Sequence, residues 1–297
     1  MTLKITPGGG YCPAEGGGGE EHVLIPCSWA VPSWVMPGTV AENARFLAGR
    51  APEVGICLFE AESSAHMPEH ELPQELKELP LRWHAHLPTD LPGLSNPALC
   101  SEASGRRAAE LALGAWRRVA FLHPRFGVLH LPRSGEGGEG VKAASAWLAG
   151  FFQVWRDAGE KAENIALENV RGASFRLLEA SGESGEAALC LDMAHALAYG
   201  QEEDCTRIEI LKRVRLIHWS APGPAASGGR ARDRHMPLAR LTGVQKDWLL
   251  HVWARRALPL LPADVTHVVE VFDWEGILRS LPELEEILAV AREERRD

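Results

Sequence analysis

Short apolar runs alternate with amphipathic stretches along most of this chain. The runs are VLIPCS (23–28), VGICLFE (54–60), LRWHAHL (81–87), FGVLHL (126–131), NIALEN (164–169), AALCLDM (187–193), VRLIHWS (214–220) and HVVEVF (267–272). Their length and bounding turn residues read as buried strands. Helical patterns follow at 39–49, 71–78, 103–119, 141–158, 173–181, 236–256 and 275–294, and the one after Asp192 is short. Apolar strands alternating with helices predict a parallel sheet covered on its outside. Eight such units predict an α/β fold, a single (β/α)8 TIM barrel over residues 23–297. No GxGxxG follows the first strand, which weighs against a dinucleotide-binding sheet. Residues 1–22 are rich in Gly and Glu and read as a flexible N-terminal arm. Segments 88–102 and 221–235 read as long loops on the mouth side, and 132–140 as a Gly-rich one.

The polar residues at the strand ends change the picture. The third predicted strand ends with His84 and His86, the fourth with His130, the fifth with Glu168 and the sixth with Asp192 and His195. The seventh ends with His218 and the eighth with Glu270, while Asp233 and His235 follow in RARDRHMPLARL. Singly, each has a plain structural role. His130 could be a hydrogen-bonded cap, Glu168 an ion-pair partner, Asp192 a helix cap and Glu270 a partner of an arginine. Side chains alternate along a strand, so His84 and His86 share a face and only one need be a ligand. In a barrel, however, all these strand ends open at one mouth. Nine ligand-type residues (His86, His130, Glu168, Asp192, His195, His218, Asp233, His235 and Glu270) suit two or three divalent ions. Such a cluster points to phosphodiester hydrolysis. Buried carboxylates would otherwise repel one another and take up protons.

Composition narrows the partners. The net charge of −9 argues against long DNA or RNA, whose binders carry basic faces. No apolar run is long enough to span a bilayer. The first residues lack the apolar centre of a signal peptide. The six cysteines are scattered without CxxC spacing, as expected of reduced thiols in the cytoplasm.

Several motifs resemble endonuclease IV and the wider xylose-isomerase-like barrel superfamily. They are HAHLP (84–88), VLHLPR (128–133), IALENVRG (165–172), CLDMAHALAYG (190–200), the Asp-Arg-His of RARDRHMPL and VVEVFDW (268–274). The resemblance covers roughly residues 80–275, and DxxH with Asp-Arg-His carries most of its specificity. It implies three divalent ions, usually zinc. His86, His130 and Glu168 would hold the first, and Glu168 would bridge to a second held by Asp192, His218 and Glu270. His195, Asp233 and His235 would hold the third. Glu168 and Glu270 would also be the catalytic residues that orient the nucleophile. After the seventh strand, IHWSAPGP replaces the polar stretch of the DNA-repair members, so the substrate is expected to differ.

Residues 27–60 resemble the start of cobamide-remodelling phosphodiesterases, which hydrolyse the nucleotide-loop phosphodiester of a corrinoid. That resemblance implies cobinamide phosphate and the lower-ligand riboside as products, with a small-molecule corrinoid as partner. Trp29 and Trp34 would then face the flat macrocycle, unless they only pack a loop. Arg133 and Arg171 follow ligand-bearing strands and are candidate phosphate contacts, or plain surface arginines. The alternatives are a sugar isomerase or epimerase, which would leave His195, Asp233 and His235 unused, and an abasic-site endonuclease.

Overall fold

The computed structural model describes residues 29–134, 138–181, 185–224 and 232–294. The arm at 1–22 and the predicted first strand at 23–28 lie outside these residues. Eight parallel strands close into a barrel. In chain order they are β1 (Trp29–Pro32), β2 (Glu53–Cys57), β3 (Arg82–His86), β4 (Gly127–His130), β5 (Ile165–Glu168), β6 (Ala188–Asp192), β7 (Val214–Trp219) and, after a two-stranded excursion, β10 (Thr266–Val269). Around the barrel the order is β1-β10-β7-β6-β5-β4-β3-β2. The expected fold is therefore present.

The excursion corrects the sequence reading. In the segment 221–235, read as a long loop, the described residues include strands. Two short strands, β8 (Ala221–Gly223) and β9 (Arg232–Met236), pair antiparallel beyond the end of β7. Neither reads as a core strand, because β8 has only three residues and β9 keeps only intermediate or exposed ones. The 71–78 helix is reduced to a 3-10 turn at Gln74–Glu78, which follows Pro73. The 236–256 helix is broken into a short α-helix capped by Thr242, a π-helical turn at Leu249–Trp253 and a final α-turn. The π-turn buries Leu249, Leu250 and Trp253 together.

Strand alternation sorts the core into two parts. Ala30, Val128, Ala166, Cys190, Leu216 and Val268 point into the barrel and form a small-residue plug. Their sequence neighbours Trp29, Val31, Leu129, Leu167, Leu189, Leu191, Ile217 and Val269 point outward under the helices. Trp29 is thus corrected: it is 2% exposed at the first position of β1, packed outside the barrel and away from the mouth. Its place is set by Ala30, whose inward side chain forces the tryptophan to the opposite face. Outside the sheet, the helices Glu102–Val119 and Gly138–Asp157 approach backbone to backbone. A Cβ on Gly105 would sit 2.0 Å from the Trp147 carbonyl oxygen.

Candidate metal centre

The same alternation builds the site. Two residues beyond each plug position, the lumen-facing side chain emerges at the mouth. Val128 is followed by His130, Ala166 by Glu168, Cys190 by Asp192, Leu216 by His218 and Val268 by Glu270. On β3 the two positions are His84 and His86, and they part company. His84 lies below, its Nδ1 2.9 Å from Glu53 Oε1. Gly55 makes room for it, since a Cβ there would meet His84 Nε2 at 2.4 Å. His86 lies in the mouth layer, its Nε2 3.2 Å from Glu168 Oε2.

Glu168 is the hub. Its Oε2 meets His86 and also His130 Nε2 at 3.3 Å, and its Oε1 meets His218 Nδ1 at 3.1 Å. His218 Nδ1 is 3.0 Å from Glu270 Oε2 and 3.9 Å from Asp192 Oδ2. Three sets of ligand atoms lie mutually within 4.8 Å: His86, His130 and Glu168; Glu168, Asp192, His218 and Glu270; and Glu168, Cys190 and His218. A further trio meets at Asp233 Oδ2, with His195 Nε2 at 3.0 Å and His235 Nε2 at 3.3 Å. All nine expected ligands are therefore brought to one mouth. Asp233 and His235 arrive on β9, two positions apart, with His235 at a φ of 45°.

Backbone contacts fix the ring tautomers. His86 Nδ1 donates to the Leu87 carbonyl at 3.0 Å, and His195 Nδ1 to that of Asn169 at 2.8 Å. A carbonyl only accepts, so the neutral form of each ring would carry its lone pair on Nε2, the nitrogen that faces Glu168 on His86 and Asp233 on His195. Asp192 serves twice. Its Oδ1 accepts from the His195 backbone N–H at 2.6 Å, capping the helix Met193–Tyr199, as one reading of the sequence expected. Its Oδ2 is buried without a hydrogen-bond partner, as are Glu270 Oε2 and His235 Nδ1. The His218 and His235 nitrogens near Glu270 Oε2 are close enough for ion pairing but out of line for hydrogen bonds. Orphaned carboxylate oxygens beside imidazole nitrogens are a donor set that divalent cations take.

Electrostatics agree. Burial opposes ionisation of Glu168, yet His218 and His130 hold its carboxyl well below the usual range. Burial opposes ionisation of Glu270 as well, and there His218 and His235 prevail. Burial pushes Asp192 up to about 7, with His195 pulling back and the Glu168 and Glu270 charges adding to the rise. Burial works against charge on His195, but Asp192 and Asp233 raise it well above an ordinary histidine. Cys57 is the β2 residue of this layer; burial, with Glu270 nearby, pushes its thiol to about 12, so it is a neutral thiol.

A cavity of about 90 Å³ sits over the hub, lined by His86, His130, Glu168, His195, Asp233, His235 and Glu270, with Phe59, Thr89 and Phe272 completing it. The last three carry no chemical signal in the sequence. Asn169 also escapes a sequence reading, although it follows Glu168 directly. Its amide accepts from the Asp192 N–H at 2.8 Å and donates to Gln201 Oε1 at 2.9 Å, locking β5 to β6. Arg133 and Arg171 do not line the cavity, and the Arg133 guanidinium turns to the Ser95 carbonyl at 3.4 Å. Trp34 is 53% exposed and stays near the mouth, its ring 5.5 Å from Phe59.

No protein-family model and no curated protein matches the sequence. Solved structures match the fold. A D-tagatose 3-epimerase-like protein superposes with a TM-score of 0.65 at 17% identity, over 90% of this chain and 99% of its own. Endonuclease IV from Thermus thermophilus gives 0.57 at 17% identity, over 90% and 99%. A zinc chloride-soaked protein from the same organism gives 0.55 at 20% identity, over 90% and 98%. The chain thus shares its barrel fold with these proteins. Among the described residues no helix is long and apolar enough to cross a membrane.

Proposed function

We propose that this protein is a metal-dependent phosphodiester hydrolase. One observation carries the reading: the His195–Asp233–His235 trio stands beside the four-residue set of Glu168, Asp192, His218 and Glu270. An isomerase needs two carboxylates around one ion, which the four-residue set supplies alone. The trio is then surplus for isomerisation, whereas a phosphodiester presents both an attacking and a leaving oxygen to stabilise.

His86, His130 and Glu168 would hold one ion, Glu168, Asp192, His218 and Glu270 a second, and His195, Asp233 and His235 a third. Zinc suits this mixture of imidazole and carboxylate. Bound divalent ions supply Lewis-acid activation of the phosphoryl group and of water. Glu168 would be the carboxylate common to the first two sites. Glu270, two residues past the plug, orients the nucleophile from the β10 side. The capped helix fixes His195, and the Asn169 carbonyl fixes its tautomer. Arg133 and Arg171 remain proposed phosphate contacts only for a substrate that extends beyond the cavity.

The substrate we put first is the nucleotide-loop phosphodiester of a cobamide, cleaved in the cytoplasm to cobinamide phosphate and a riboside. The resemblance of residues 27–60 supports it, and so does the exposed Trp34 beside the cavity. The second reading is a sugar epimerase, supported by the epimerase-like barrel at TM-score 0.65. Mass spectrometry of a coenzyme B12 digest, with metal-loaded protein and a chelated control, tests the first. Metal-dependent release of cobinamide phosphate is expected. No product from loaded protein removes the corrinoid reading and moves the assay to abasic DNA and then to ketoses.

A further inference from the structure

The mouth is divided by strand. β3 to β7 each deliver a histidine or carboxylate to the cavity layer. β1 and β2 deliver none: their residues there are Pro32 and Cys57. Around the barrel β1 lies between β10 and β2, so these three strands form one continuous arc. That arc carries three aromatic rings. Trp34 follows β1, Phe59 follows β2 and Phe272 lies two residues past Glu270. The rings step inward from the rim. Trp34 is 5.5 Å from Phe59, Phe59 is 5.8 Å from Phe272, and Phe272 meets the His235 ring edge-on at 4.9 Å. Phe59 and Phe272 line the same cavity as the ligands, with no lysine or arginine among its described lining residues.

From this division we infer that the aromatic arc is a specificity surface. It would bind a flat aromatic group attached to the phosphodiester, held on Trp34, Phe59 and Phe272 while the phosphoryl group faces the metal ligands. The inference rests on the phosphodiesterase reading but not on the corrinoid. The chemistry of the arc selects the class. Exposed tryptophan with half-buried phenylalanines offers stacking faces and no cation. A polyanion would find no lysine or arginine among the described residues that line the cavity. A substrate with one phosphodiester and one planar ring system fits both arcs at once.

Isothermal titration of the metal-loaded protein tests it with three probes whose integrity is checked by mass spectrometry after each run: diphenyl, dicyclohexyl and diethyl phosphate. Diphenyl phosphate is expected to bind about tenfold tighter than the size-matched dicyclohexyl ester, in line with stacking contributions to flat ligands. Trp34→Ala combined with Phe59→Leu is expected to bring that ratio within about twofold, since the leucine keeps apolar volume but no ring. Trp34 is exposed, so its removal leaves the core untouched. Equal binding of the two esters, or a ratio that survives the substitutions, overturns the inference. Hydrolysis of bis(p-nitrophenyl) phosphate is scored separately. Selective diphenyl binding without cleavage sinks the phosphodiesterase reading and leaves the arc. Cleavage without aryl preference does the reverse.

Discussion

Glu53 and Glu168 are both buried carboxylates facing the barrel interior, one below the plug and one above it, and their surroundings differ in kind. Glu53 meets Arg82 at 3.2 Å, Arg125 at 3.2 Å and His84 at 2.9 Å. Arg125 also donates to Thr266 Oγ1 at 3.1 Å. Two guanidinium groups are cations at any working pH, so Glu53 is compensated permanently. At the mouth, the ion pairs that described residues make to Glu168, Asp192, Asp233 and Glu270 are all with histidines. Histidine compensates only while protonated. The lower cluster is therefore complete as folded, and the upper one is complete only with protons or with metal ions. Burial of acidic groups is common to both. The nature of the counter-charge separates a structural network from a metal centre.

The sharpest way to break this contrast is at the hubs. Glu168→Gln is expected to lower turnover by at least about 10³-fold and to reduce bound metal, because the shared ligand charge is gone. Metal analysis and phosphodiester assays read both, and near-normal turnover would end its bridging role. Glu53→Gln is expected to leave metal content unchanged and to destabilise the fold by about 3 kcal/mol, the scale for breaking a buried ion pair. Urea unfolding measures it; lost metal with an unchanged midpoint would erase the distinction. The two β3 histidines should separate likewise. His86→Ala is expected to weaken metal binding by about 100-fold, beyond the usual effect of an outer-shell partner, whereas His84→Gln should cost only stability.

The smallest expected effect is in pH. In metal-free protein Asp192 is raised to about 7, so its contribution to stability is present at low pH and lost as pH rises towards 7. His218 and His195 are also raised, and their contribution is lost as pH rises through their folded values. All three signs agree. Metal ions held by these groups would keep them deprotonated. The stability gap between loaded and chelated protein, read from the two Tm values, should therefore widen as pH rises, with Asp192 contributing up to about pH 7 and the two histidines carrying the rise on to about pH 8, by up to about 1.4 kcal/mol per pH unit for each histidine. This window lies above the range of His130, which burial lowers and which carries the opposite sign. A gap that narrows would mean the cluster is protonated even when loaded.

The barrel is legible in the sequence because period-two apolar runs and helical stretches alternate, and nothing else buries eight such runs so simply. The ligands are legible because each strand end carries its own polar signal. What escapes depends on the third dimension. Trp29 reads as a mouth residue, but its direction follows from the inward Ala30, which has no chemical signature. The β8–β9 pair is hidden because β8 is only three residues long and the polar β9 has no apolar alternation to announce it. His84 and His86 share a strand face, and only the space left by Gly55 decides which height each occupies. Phe59, Thr89 and Phe272 have ordinary side chains, and only the cavity gives them a role.

Asp192 commits one oxygen to the helix that carries His195 whatever fills the cavity, and leaves the other pointing into the mouth. An ion bound there would therefore meet a wall already in place, with little left to rearrange. Loading would follow folding, and emptying the site would leave that wall standing.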